Sequence, residues 1–132
     1  MTFKSLGIDA DICEALDAKG ITSPFPIQQQ AIPVALAGTD IIGQAKTGTG
    51  KTLGFGLPLI QALGENPSKG VQALVVVPTR ELALQVSEDL IMATSNRPTT
   101  VVAIYGGKAY EGQVAALEAG AQIVVGTPGR LL

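Results

Sequence analysis

The string Ala45-Lys46-Thr47-Gly48-Thr49-Gly50-Lys51-Thr52 is the part of the chain best suited to hold a charged ligand. Gly48 and Gly50 let the backbone curl so that successive N–H groups converge on phosphate oxygens. A helix opening at this point would aim the positive end of its dipole at the same charge. Lys51 would reach the β- and γ-phosphates of a nucleotide, and the Thr52 hydroxyl would bind Mg²⁺. The general phosphate-loop pattern has glycine where Ala45 stands. The plainer alternative is a Gly- and Thr-rich surface turn that contains a lysine, and the side chain of Lys46 reads as a solvated charge.

Composition removes other chemistries. With no histidine and one cysteine, Cys13, the chain has no His-dependent triad, none of the usual zinc sites and no internal disulfide. The thiol fits a reducing compartment, and on the first helix it reads as a small apolar packing residue. A net charge of −2 and a pI near 5.0 argue against a broad basic surface, so any nucleic-acid contact must be local. No signal-peptide core follows Met1, and the purest apolar run, residues 73–77, falls far short of the roughly 20 residues that span a bilayer. The expectation is a cytoplasmic protein without a membrane segment. At 132 residues, 46% hydrophobic and 15% charged, it should form one domain around an aliphatic core rather than a disordered chain. By surface arithmetic a chain of this length buries roughly two thirds of its unfolded surface and looks complete.

A phosphate loop needs a strand before it and a helix after it, and the pattern supplies both. Strands are expected at residues 40–43, 73–77, 100–105 and 122–125, with helices at about 50–63, 80–93 and 110–120 between them. Leu82, Val86 and Leu90 form an apolar stripe on the second of these helices, and Val114 and Leu117 on the third. Such alternation predicts an α/β fold, a parallel sheet flanked by helices. Two helices precede it. Asp11 followed by Glu14 signals a capped start for the first, with Ile12, Ala15 and Leu16 on one face and Gly20 as its stop. Thr22-Ser23-Pro24-Phe25-Pro26 leads into the second, which carries Ile27, Ala31 and Val34 and ends near Gly38. Pro33 would kink or shorten it. Residues 65–70 and 95–98 read as loops.

These residues together resemble the start of a DEAD-box ATP-dependent RNA helicase. The family's first motif reads Ala-x-Thr-Gly-x-Gly-Lys-Thr, so Ala45 is the expected residue. Upstream, Gly20-Ile21-Thr22-Ser23-Pro24-Phe25-Pro26-Ile27-Gln28 resembles the Q motif, with Phe3 where the family keeps an aromatic; Ile21 and Phe25 depart from the usual pattern. The resemblance implies that Gln28 reads adenine and that Phe3 packs on the base. A glutamine amide can pair with N6 and N7 of adenine, and an aromatic face can stack on it. Taken alone, Gln28, Gln29 and Gln30 would read as a solvated helix start.

Three further strings carry the resemblance. Pro78-Thr79-Arg80-Glu81-Leu82-Ala83-Leu84-Gln85 is similar to motif Ia, Gly106-Gly107 to the GG element, and Thr127-Pro128-Gly129-Arg130 to motif Ib. Each follows a strand, at the sheet edge where open α/β sheets bind ligands. The resemblance implies that Pro78, Thr79, Arg80, Gly106, Gly107, Thr127, Pro128, Gly129 and Arg130 grip the backbone of single-stranded RNA, which needs only a few donors. As isolated residues, Arg80 and Arg130 read equally as surface cations, Lys108 as a solvated charge, and Glu81 as a helix-start or ion-pairing residue.

The implied architecture is a P-loop NTPase of RecA-like type, with residues 1–38 forming a Q-motif region and 39–132 a partial helicase ATP-binding domain. ATP and Mg²⁺ are the implied cofactors, and RNA and a second RecA-like lobe the implied partners. No strand ends in Asp or Glu, and Glu88, Asp89, Glu111 and Glu118 fall in helical segments. The acids that hydrolysis requires are therefore expected beyond Leu132, making this the truncated front of a helicase, inactive alone, with strand edges and apolar faces uncovered. Other readings remain: a stand-alone non-catalytic nucleotide- or RNA-binding module; a small P-loop kinase, which would call for an arginine-rich lid; and a DNA helicase, which the string at Pro78 fits less well.

Overall fold

The computed structural model describes residues 2–39, 51–65, 67, 70–105, 115, 117 and 119–128. The expected strand at 40–43 and most of the expected helix at 110–120 lie outside them, although Ala115 and Leu117 are helical.

A 3₁₀ turn, Lys4–Leu6, leads into helix α1, Ala10–Asp17, and helix α2, Pro26–Leu36. Helix α3 covers Lys51–Leu63. Strand β1, Ala73–Val76, then precedes helix α4, Arg80–Ala93, strand β2, Val101–Ile104, and strand β3, Ile123–Gly126. The three strands are parallel in the order β1-β3-β2, with Val76 beside Gly126 and Gly126 beside Ile104. This is the α/β fold expected from the alternation. The central strand β3 is buried at all four positions, as its unbroken apolar run requires. On β1 the pleat buries Ala73 and leaves Leu74 and Val76 more than half exposed.

One core joins the N-terminal helices to the sheet layer: Phe3, Ile8, Ile12, Leu16 and Ile32 cluster with Leu53, Leu57, Ile60, Leu90, Ile123 and Val125. α3 and α4 approach closely where Gly56 faces Leu90. A Cβ at Gly56 would lie 2.6 Å from Leu90 Cδ2, and Leu90 is itself fully buried.

Three sequence expectations are corrected. α1 starts at Ala10, with Asp9 at the cap position, so Asp11 belongs to the first turn instead of capping it. The carboxylates of both are held by Arg97. On α2 the buried residues are Gln28 and Ile32, whereas Val34 is 40% exposed. Burial of Gln28 is tolerated because its amide oxygen receives a backbone N–H. On α4 the buried face runs through Ala83, Val86, Ser87, Leu90 and Ala93, and Leu82 turns outward. The small residues Ala83 and Ser87 allow close packing, and the Ser87 hydroxyl donates to the Leu84 carbonyl at 2.9 Å. α2 runs through Pro33 to Leu36, ending near Gly38 as expected. Proline removes one N–H from the ladder, and here tertiary packing of Ile32 outweighs that loss.

Candidate nucleotide and nucleic-acid sites

The N-terminus of α3 is formed by Lys51 and Thr52. Lys51 is exposed and Thr52 half-buried. Ala45, Lys46, Thr47, Gly48, Thr49 and Gly50 lie outside the described residues. The Thr52 hydroxyl faces Asp89 of α4. Burial and the neighbouring Glu88 push the Asp89 carboxyl above its usual range, and a hydrogen bond from Thr52 opposes that shift. Sequence reading set Asp89 aside as a helical carboxylate, because nothing local shows that α4 crosses the first turn of α3. Among the described residues no group of three or more Cys, Asp or Glu is arranged to hold a metal ion.

Gln28 is 1% exposed, which corrects any picture of a solvated helix start. It stands third in α2, and its Oε1 accepts the Phe25 N–H at 2.8 Å. This occupies one lone pair of the oxygen and satisfies the N–H of the cap residue Phe25, a helix-end donor without an intrahelical partner. Gln29 donates from Nε2 to the Pro24 carbonyl at 3.0 Å, so the two glutamines tie down both sides of the Pro24 to Gln28 turn. Phe3 is 3% exposed and packs in the core cluster beside the 3₁₀ turn. The Phe25 ring is 49% exposed.

The carboxyl ends of the three strands lie level. Val77 donates its N–H to the Gly126 carbonyl at 3.0 Å, and Thr127 donates to the Ile104 carbonyl at 3.1 Å. Pro78, Tyr105 and Thr127 therefore leave one sheet edge, although they are separated by tens of residues in sequence. Thr79 caps α4 by accepting the Leu82 N–H on Oγ1 at 3.2 Å. Pro78, Thr79, Arg80 and Pro128 are exposed, and Thr127 is half-buried. Gly106, Gly107, Gly129 and Arg130 lie outside the described residues.

Two polar groups missed by sequence reading brace this arrangement. Arg97, in a stretch read only as a loop, is a buried cation: its Nε lies 2.6 Å from Asp11 Oδ2 and its Nη2 2.7 Å from Asp9 Oδ2. The guanidinium holds the Asp11 carboxyl below its usual range, chiefly by hydrogen bonding. Asp11 and Asp9 in turn make Arg97 retain its proton beyond the ordinary range. Gln61 of α3 bonds the backbone at Gly7 and Asp9. Spacing could not reveal either pairing, since the partners lie over 50 residues apart. Cys13 is half-buried, and burial followed by the charge of Asp17 raises its thiol, consistent with packing rather than reactivity.

Residues 25–132 match the DEAD/DEAH box helicase family model. The DEAD-box ATP-dependent RNA helicase CshA of Streptococcus pneumoniae is 48% identical over all 132 residues, which are 25% of its own length. A DEAD box protein from the hyperthermophile Methanococcus jannaschii superposes with a TM-score of 0.90 at 42% identity, over 100% of this chain and 36% of that one. An ADP-bound RNA helicase from Chaetomium thermophilum gives a TM-score of 0.88 at 42% identity, over 97% of this chain and 32% of that one. The chain thus spans about a quarter of the curated relative's length. It belongs to the DEAD/DEAH box helicase family.

Proposed function

We propose that this chain forms the ATP-binding and RNA-gripping part of the first RecA-like lobe of an ATP-dependent RNA helicase. The observation that carries the reading is the level sheet edge, from which Pro78, Tyr105 and Thr127 emerge side by side. An open α/β sheet binds its ligands at that edge. The ADP carried by the relative from Chaetomium thermophilum supports an adenine nucleotide as one of them.

In this reading the loop 45–50 wraps the phosphates and Lys51 neutralises the β- and γ-phosphate oxygens. Thr52 would hold Mg²⁺ through its hydroxyl oxygen. Held there, Mg²⁺ would supply positive charge to offset that of the phosphates. Gln28 and Phe3 serve the adenine, Gln28 through an amide whose position is already fixed by Phe25. Arg80 and the backbone around Thr127 and Pro128 contact RNA phosphates without reading sequence, as do Gly106, Gly107, Gly129 and Arg130. With a second lobe, joint binding of ATP and RNA would bend and locally separate a short duplex, and hydrolysis would release the strand. These 132 residues alone are expected not to hydrolyse ATP, because none of the three strands among the described residues ends in an acid.

Separate titrations of ATP and single-stranded RNA test the reading. Lys51→Ala should abolish nucleotide binding and leave RNA binding in place, and Arg80→Ala should weaken RNA binding and leave nucleotide binding in place. Binding of both ligands unaffected by either substitution would overturn it, whereas ATP hydrolysis by the chain alone that Lys51→Ala abolishes would overturn only the expectation that the chain is inactive.

A further inference from the structure

The segment between Phe3 and Asp9 contains only one 3₁₀ turn, too short to hold itself in place. Its far end is fixed by a side chain from another element. Gln61 of α3 accepts the Asp9 N–H on Oε1 at 2.7 Å and donates from Nε2 to the Gly7 carbonyl at 2.8 Å. One amide thus satisfies a donor and an acceptor two residues apart, as a neighbouring strand would. Gly7 has φ +105°, and a Cβ there would lie 3.0 Å from Leu36 Cδ1, so the clamped backbone also sits tight against α2. At the near end, Phe3 is 3% exposed and its carbonyl accepts the Ile8 N–H at 3.2 Å, which ties the aromatic to the clamped stretch.

Gln61 belongs to the same helix whose first residues are Lys51 and Thr52. A helix is stiff along its axis, so a contact ten residues on, about 15 Å away, still refers the segment to the phosphate end. We propose that Gln61 is a positioning residue for nucleotide recognition: it fixes the segment carrying Phe3 relative to the phosphate-binding end of α3, so that base and phosphate are bound as one rigid unit. This rests on the reading of Phe3 as the base-packing aromatic. Without the clamp, Gly7 and Asp9 turn to water and the segment gains freedom. Ordering it then opposes base binding and leaves the phosphate contacts untouched.

The test measures ADP, GDP and base-free tripolyphosphate binding by the full-length polypeptide carrying this chain. The variants are Gln61→Met, which keeps length without polar atoms, Gln61→Glu, which keeps only the acceptor, and Lys51→Ala. Gln61→Met should weaken ADP about fivefold, the scale of one to two hydrogen bonds, with tripolyphosphate unchanged and ADP-over-GDP preference reduced. Gln61→Glu, whose second carboxylate oxygen would face the Gly7 carbonyl without a proton to donate, should weaken ADP at least as much, and decides the matter on the same ratio should the Met variant not melt cooperatively. The proposal is overturned by unchanged ADP affinity, or by equal losses for ADP and tripolyphosphate. Wild-type ADP binding that is absent or indifferent to Lys51→Ala would sink the underlying site reading as well, whereas Lys51-dependent binding indifferent to Gln61 sinks the clamp alone.

Discussion

The N-terminal face and the carboxyl edge of the sheet both carry polar residues, and they use them in opposite ways. On the N-terminal face Gln28, Gln61 and Arg97 bond the protein's own backbone and carboxylates, and Gln28 and Arg97 are almost fully buried. At the sheet edge Thr79 satisfies the first turn of α4, while Arg80 is exposed and makes no ion pair among the described residues. A buried polar group generally has its partners before any ligand arrives, because leaving it unpaired costs about 1–3 kcal/mol, although Arg97 keeps one buried nitrogen, Nη1, without a partner among the described residues. An exposed one is solvated and can exchange water for a phosphate oxygen. The first region is therefore suited to a fixed geometry, and the second to a backbone whose sequence varies.

The largest break in the comparison comes from Asp11→Ala. It leaves a guanidinium that is 1% exposed with Asp9 as its remaining partner, and Asp9 is itself 45% exposed. A fully buried pair broken this way costs about 3–5 kcal/mol; with Asp11 28% exposed, a loss on the order of 2 kcal/mol is expected in denaturant unfolding. Its pH dependence has a defined sign. Arg97 holds the folded Asp11 carboxyl below its ordinary value of 3.8, so the stabilisation is present above that pH and lost as pH falls through the lower folded value. Wild type and Asp11→Asn should differ most near neutrality and converge in acid. A constant difference down to pH 2 would remove the pair from the account.

Gln28→Ala comes next. It strips the Phe25 N–H of its partner and opens space beneath α2, for about 1.5 kcal/mol by thermal or chemical melt. A change below about 0.5 kcal/mol would mean that Gln28 is held in reserve for a ligand, as Arg80 is, and the contrast between the two regions would fail.

The two regions also differed in how far their sequences could be read. The edge was legible because its geometry follows from chain order: parallel strands end at one side, so strings that follow strands must meet there. Thr79 before Arg80-Glu81-Leu82 carries the signature of a capped helix, and α4 begins there. The N-terminal face was legible only in its helices. Val34 and Leu82 fit helical periodicity, yet they face water, because periodicity gives a spacing and leaves the rotation to tertiary packing. Taken apart from the family resemblance, Gln28 would look solvated, because polarity predicts exposure unless a partner is known. Gln61 and Arg97 reach partners 52 and 86 positions away, and no local pattern encodes such pairs.

Thr79→Ala sharpens the comparison at the edge. Removing the hydroxyl that receives the Leu82 N–H should cost about 1 kcal/mol, while Thr79→Ser should retain most of it. Were Thr79 chiefly a phosphate contact, the Ala variant would melt like wild type and lose only RNA affinity. The cap predicts loss of both.

Arg80→Ala should have the smallest effect on stability, within about 0.5 kcal/mol, because the side chain is exposed and unpaired among the described residues. In the proposed reading its effect falls on RNA binding and shows in the salt dependence. A cation that neutralises one phosphate of a single strand releases one condensed counterion, so the slope of log K against log salt should fall by about 0.7, equally for all sequences. Asp11→Ala should leave that slope alone, since Arg97 is buried and already neutralised. Stability and salt slope would then move independently, one with each region. Should Arg80→Ala shift the melt by as much as Asp11→Ala, or should both variants change the slope, the division between a braced face and an open edge would have to be abandoned.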